Sequence, residues 1–302
     1  LCEEIRLPRP PRDPSYPLPD DYYASVAYAG QFIMERVAIK WAKKLKAITR
    51  SDNICVSGGL GLNIDANKKF LDEAGFKHIF VQPGASDTGI PLGCALYGYH
   101  VLGKQPRFWV MQSASLGRPY SEEEIEASIK NREGEITANK SANIADEVAK
   151  LIADGNIIGW FRGGSEYGPR ALGNRSILVD ARNPDMKDIL NKKVKHREPW
   201  RPFAASVLRE HLSEWFELEE ESPFMLLAAL VHQGKRSLVP SVVHVDGTCR
   251  IQSVTQSVNG RFYDLISAFA SLTGVPLILN TSFNLAGDPI VETPLDALDC
   301  FL

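Results

Sequence analysis

Between Tyr22 and Ile48 the apolar residues Val26, Ala29, Phe32, Ile33, Val37, Ile39 and Trp41 recur at close to helical spacing. The segment ends on Lys43-Lys44-Leu45-Lys46, a basic last turn that suits the negative end of a helix dipole. One long helix is predicted there. The run Asn53-Ile54-Cys55-Val56-Ser57, stopped by Gly58-Gly59, reads as a short buried strand. A helix-like stretch then reaches Ala74, Gly75 ends it, and His78 to Val81 forms a second strand. Gln82-Pro83-Gly84-Ala85-Ser86-Asp87-Thr88-Gly89 turns the chain into an apolar helix through Val101. Strand, glycine turn and helix, given twice, predict an α/β layer.

From Ser113 to Ile144 the rhythm is lost and Ser, Gly and Glu dominate. That stretch marks a boundary between two domains, residues 1–115 and 116–302, and the length allows each a proper core. Beyond it come a helix from Ala145 to Asp154, a strand Ile157–Trp160 and a turn at Asn183-Pro184-Asp185. A helix Met186–Val194 and a strand Phe203–Leu208 follow. The helix Phe262–Leu272 is stopped by Gly274, and the strand Pro276–Leu279 runs into Asn280-Thr281-Ser282-Phe283-Asn284. No internal repeat or low-complexity tract interrupts this order.

Composition removes several classes of function. The chain is 44% hydrophobic and 24% charged, ordinary for a globular protein, and no apolar run approaches the ~20 residues of a membrane span. It opens without Met or an apolar signal core, and reads as the start of an internal fragment, with an equally abrupt apolar end at Phe301-Leu302. The five cysteines lack CxxC spacing, which argues against a zinc site or redox pair. Cys55 and Cys94 lie in apolar stretches and are expected to be buried and reduced, as in the cytoplasm. The six histidines show no metal-site spacing, and no Walker, nucleophile-elbow or dinucleotide fingerprint is present.

Charge is where the chain becomes specific. From Arg162 to Arg209, 11 Lys and Arg face 5 Asp and Glu, a local net of +6 in a chain of −3. This basic island contains Gly164–Leu178 (GSEYGPRALGNRSIL) and Lys193–Ala204 (KVKHREPWRPFA). A compact basic island in an acidic chain points to a defined anionic small molecule rather than nucleic acid. Glycines at 163, 164, 168 and 173 allow positive φ and close backbone approach, and Pro169 stiffens the turn before Arg170. Arg170, Lys195 and Arg201, set among glycines, prolines and aromatics, are the candidate anion contacts; Lys187, Lys192 and Lys193 read as solvated helix surface.

Other motifs are weaker alone. Asn280 and Ser282 stand where a buried strand ends, a usual place for ligand groups in layered α/β proteins and equally for caps and turns. Arg250 is a lone arginine between Cys249 and Ile251. Gly58 and Gly59 after a strand can cradle a phosphate with backbone amides. Asp87 is placed either to hold a metal or to cap the next helix.

Taken together, GPRALGNRSIL, KHREPWRPFA and NTSFN, with SGGLGLN and QPGASDTGIPLGCAL, resemble the O-carbamoyltransferases of the nodulation-protein-U and antibiotic-tailoring type. The resemblance implies an α/β chain: the C-terminal lobe of an actin/Hsp70/sugar-kinase-like (ASKHA) domain, then a YrdC-like domain. It implies that the YrdC-like domain makes carbamoyl adenylate from carbamoyl phosphate and ATP, releasing pyrophosphate. The kinase-like domain then passes the carbamoyl group to an acceptor hydroxyl. On this chain the resemblance assigns Arg170, Lys195, Arg201, Arg250, Asn280 and Ser282 to carbamoyl phosphate and ATP. It assigns Gly58, Gly59 and Asn63 to the acceptor-side nucleotide site and Asp87 to a metal. Mg2+ would accompany the nucleotide, and an Fe2+-type ion would serve transfer in the full-length enzyme. The lobe with the metal-binding histidines has no counterpart here, so adenylate formation is expected to survive and transfer to be crippled. The expected partners are small molecules and, for a homodimer, a second copy; neither nucleic acid nor membrane is expected. Two alternatives stand beside this reading, a tRNA threonylcarbamoylation-type enzyme and a non-catalytic nucleotide-binding fragment.

Overall fold

In a computed structural model that describes residues 21–302, helix α1 spans Asp21–Thr49. Strand β1 (Asn53–Val56), helix α2 (Ile64–Asp72) and strand β2 (His78–Val81) follow. Strands β1 and β2 pair in parallel, from Asn53 with His78 to Val56 with Val81. A small core of Ala38 and Ala42 of α1 with Ile54, Phe70, Ala74 and Phe76 holds this layer together. Helix α3 (Ile90–Tyr97) runs on through a π-helical turn over Gly98–Leu102. The long helix, both strands and the helix through Val101 therefore form as their apolar patterns predict.

Their burial differs from expectation. Ile54 faces the small core while its neighbour Cys55 is exposed, because successive strand residues point to opposite faces. Cys94 is exposed as well, on a helix that buries none of its residues. On α1, Glu35, Ala38, Ile39 and Ala42 turn inward, whereas Val26, Phe32, Ile33, Val37 and Trp41 remain exposed.

The second half begins with α4 (Glu122–Lys130), started by a capping box between Ser121 and Glu124. Then come α5 (Ile144–Ala153), β3 (Ile158–Phe161), β4 (Arg175–Val179), α6 (Met186–Lys193), β5 (Ala204–Leu208) and the short α7 (Leu212–Trp215). The chain continues with β6 (Leu227–Leu230), β7 (Thr248–Val254), α8 (Gly260–Thr273), β8 (Leu277–Ser282) and α9 (Pro294–Phe301). Six strands form one mixed sheet in the order β3-β4-β8-β5-β7-β6, parallel only at β5–β7. The main core joins α5 and α8, through Val148, Ile152, Phe262 and Phe269, to sheet residues including Val207, Ile251 and Leu279.

The opposite sheet face is the informative one. Register places Leu178, Asn280, Ala204 and Arg250 in one row across four strands, and directly paired residues share a face. Two residues along each strand, Ser282, Ser206 and Gln252 lie on that same face. A helix-covered apolar face thus backs a face rich in amides, hydroxyls and one arginine. A smaller core of Leu172, Ala204, Met225 and Leu226 with Val81 and Met111 joins this face to the first half. No described helix is long and apolar enough to cross a membrane.

The loop Pro169–Asn174 covers the polar face, and Gly173 closes it with φ +102°. A Cβ there would lie 2.3 Å from the buried Phe262 ring. Gly173→Ala is expected to cost about 2–4 kcal/mol through combined backbone strain and overpacking. Urea unfolding checks this, and an unchanged midpoint would contradict it.

Candidate active site

The island loop is clamped from two directions. From within, Glu166 Oε1 accepts the backbone N–H groups of Leu172 at 2.7 Å, Asn174 at 2.8 Å and Arg175 at 3.3 Å. From beneath, Asn280 Nδ2 donates to the carbonyl of Ala171 at 3.3 Å and Gln252 Nε2 donates to that of Leu172 at 2.7 Å. Ser206 locks the two amides together, donating to Gln252 Oε1 at 2.6 Å and accepting from Asn280 Nδ2 at 3.0 Å. Asn280 is fully buried, so it shapes the site from below.

What this frame presents is a pair of arginines. Arg170 is half-buried with its Nε sealed from solvent, and burial pulls its pKa down. Arg250 stands on the sheet row with Asn280, its Nε likewise sealed. Burial first, then the like charge of Arg170, brings its pKa down to about 9. Among the described residues, neither side chain has a hydrogen-bond or ion-pair partner, and Asn280 Oδ1 beside them is also buried without one. Two charged guanidinium groups in a partly dry site are costly unless an anion neutralises them.

A second cluster adjoins the first. Lys195, Arg197, Arg201, Ser282 and Asn284 line a cavity of about 530 Å³ with Glu198 as its one carboxylate. Lys195 is buried, and its Nζ donates among four acceptors: Ser282 O at 2.5 Å, Ser282 Oγ at 3.2 Å, Asn284 O at 3.0 Å and Asn284 Oδ1 at 2.7 Å. Burial, then the charge of Arg197, lowers its pKa to about 8. Arg201 is exposed and reaches Glu198 at 3.6 Å. Arg197 is fixed by Asn191 Oδ1 at 2.7 Å and lies over the Phe203 ring, with its charge felt by both Lys195 and Arg250. Mutual repulsion links these cations in a strip, Arg170 with Arg250, Arg250 with Arg197, and Arg197 with Lys195 and Arg201.

Four other candidates lie in the first half. Gly58, with φ +89°, and Gly59 are exposed at a 3-10 turn, and Asn63 caps α2 while exchanging amide hydrogen bonds with Gln31. Asp87 is exposed at the start of the Asp87–Gly89 turn and provides no side-chain cap. Among the described residues no group of three His, Cys, Asp or Glu is placed to hold a metal ion. Asp87 alone does not make a metal centre. Its loop nevertheless meets the island: Tyr167 Oη donates to the carbonyl of Thr88, and a Cβ on Gly84 would come within 2.7 Å of the Tyr167 ring.

Sequence reasoning brought Arg170, Lys195, Arg201, Arg250, Asn280 and Ser282 forward, and the fold gathers them on one side of the second-half sheet. It passed over Arg197, Glu166, Gln252 and Ser206. Arg197 had a visible signal, since it stands two residues from Lys195 in the same segment. The other three reveal themselves only through register and loop closure.

Comparison with known proteins places the chain in a family. Residues 149–302 match the family model Carbamoyltransferase C-terminus, and residues 12–96 match Carbamoyltransferase N-terminus. The chain belongs to the carbamoyltransferase family. The chain is 41% identical to nodulation protein NolNO of Sinorhizobium fredii over 90% of the chain and 41% of the relative. It is 39% identical to nodulation protein NolO of Bradyrhizobium diazoefficiens over 93% of the chain and 52% of the relative. Nodulation protein U of Sinorhizobium fredii is 32% identical over 89% of the chain and 46% of the relative. The chain spans about half the length of these relatives. A solved structure of full-length HypF in its phosphate- and nucleotide-bound form aligns with 55% of the chain and 20% of its own, at TM-score 0.38 and 17% identity.

Proposed function

We propose that this carbamoyltransferase makes carbamoyl adenylate from carbamoyl phosphate and ATP on the strip from Arg170 to Arg201. Carbamoyl phosphate loses its phosphoryl group to water, giving carbamate and inorganic phosphate. A carbamate oxygen then attacks the α-phosphorus of ATP, and the bond to pyrophosphate breaks. Negative charge builds on phosphoryl oxygens in both steps, and fixed guanidinium groups aimed at it lower the barrier. In the longer enzyme a hydroxyl oxygen of a small-molecule acceptor would attack the carbamoyl carbon, its proton passing to solvent and AMP leaving. Within this reading residues 116–302 act as a YrdC-like domain and residues 1–115 as the C-terminal lobe of a kinase-like (ASKHA) domain. Gly58, Gly59 and Asn63 then border the acceptor-side nucleotide.

The observation that carries the reading is the Arg170–Arg250 pair, sealed at Nε and without a counter-charge among the described residues, with Arg170 on a loop whose next two carbonyls are held by Asn280 and Gln252. The test is pyrophosphate release when the chain is mixed with carbamoyl phosphate, ATP and magnesium. Release by the wild type and its loss in Arg170→Ala is the expected result. Equal release by both would remove the strip from the reaction.

A further inference from the structure

We infer that Glu166 is a positioning residue for Arg170, acting through the backbone of the island loop and not on the ligand. The inference rests on the proposed carbamoyl phosphate site.

Three backbone N–H groups converge on one Glu166 oxygen, the arrangement by which a loop cradles an anion. Here the chain's own carboxylate fills the cradle, so those amides are closed to a substrate phosphate. The carbonyls of Ala171 and Leu172 are held on the other side by Asn280 and Gln252. With these donors and acceptors taken, the loop is held in place and the Arg170 side chain is left for a ligand. Glu166 does not serve as the counter-ion of Arg170. Its attraction falls on Arg175, whose guanidinium is in turn spent on the carbonyls of Arg162 at 2.7 Å and Glu292 at 3.2 Å. The carboxylate is buried, and burial raises its pKa. Its Oε2 has no partner among the described residues. The carboxyl group thus holds the loop through three backbone N–H groups while the Arg170 side chain stays without a partner among the described residues.

The experiment is calorimetric titration of the chain with carbamoyl phosphate. Glu166→Ala is expected to weaken binding roughly 10–100-fold, as loss of a supporting group or a small misplacement does. Glu166→Gln keeps an acceptor oxygen in place and recovers most of the affinity. Glu166→Asp keeps the charge but withdraws the oxygen from the three amides, and weakens binding. In an Arg170→Ala background, Glu166→Ala and Glu166→Asp add no further loss, since the side chain they position is gone. A purely structural role would give the same loss in both backgrounds, and that result overturns the inference. So does wild-type affinity in Glu166→Asp, a variant that serves even where Glu166→Ala fails to fold. No binding by the wild type would overturn the site itself, a failure distinct from these.

Discussion

Arg250→Ala is expected to lower pyrophosphate release by roughly 10²–10³-fold, the usual loss on removing one fixed donor from a developing oxyanion. The accompanying stability change is what makes this substitution diagnostic. Arg250 has a sealed Nε, no partner among the described residues and a like-charged neighbour in Arg170, so in the free protein its charge is a cost. The variant should therefore unfold at the same urea concentration as the wild type or a higher one. A structural arginine behaves oppositely, as Arg175 illustrates with four carbonyl partners and the Phe161 ring beneath it. If Arg250→Ala loses stability and activity in proportion, the residue belongs to the scaffold.

Lys195→Met is expected to lose both stability and binding. Its ammonium ties Ser282 and Asn284 to the end of α6, and removal leaves inward-facing carbonyls without a donor, costing about 2–4 kcal/mol. The pH dependence separates its charge from its shape. The Lys195 pKa falls from 10.5 unfolded to about 8 folded. Below about 8 both states hold the proton and the cost of burying it is fully present. Between about 8 and 10.5 the unfolded chain binds more protons, so the Lys195 contribution to stability rises with pH in that window. Affinity for carbamoyl phosphate should fall over the same rise, as the cavity loses a cation. Unfolding free energies of wild type and Lys195→Met at pH 7 and pH 9.5 test this. Equal increments in both proteins would rule Lys195 out as the titrating group.

The degree to which the sequence foretold the structure follows from physical scale. Elements with strong local signals formed as read: the long α1, the strands before Gly58 and after Gly75, and α8 ended by Gly274 in a left-handed cap. The second-half sheet was only partly legible. Leu227–Leu230 is too short to declare a period, and Thr248–Val254 carries Arg250 and Gln252 where a buried strand should read apolar. Those polar residues obscured the strand, and under the proposed function they serve the site. Arg170, Lys195 and Arg201 were visible since cations among glycines and prolines are unusual without a ligand. Glu166 was hidden, for an acid in a basic island reads as charge balance until the loop is seen folded around it. The burial of Cys55 failed for a tertiary reason: the small core covers the Ile54 face of the sheet, and Cys55 stands on the other.

The central claim is that the Arg170–Arg250 pair and the adjoining Lys195–Arg201 cavity form one anion site. A crystal structure of the chain with carbamoyl phosphate and a non-hydrolysable ATP analogue tests it most directly. The account predicts phosphate oxygens within hydrogen-bond distance of Arg170 and Arg250, about 2.7–3.2 Å, above the unmoved Asn280–Gln252–Ser206 network. Phosphates seated elsewhere, with both guanidinium groups still unpartnered, would contradict it.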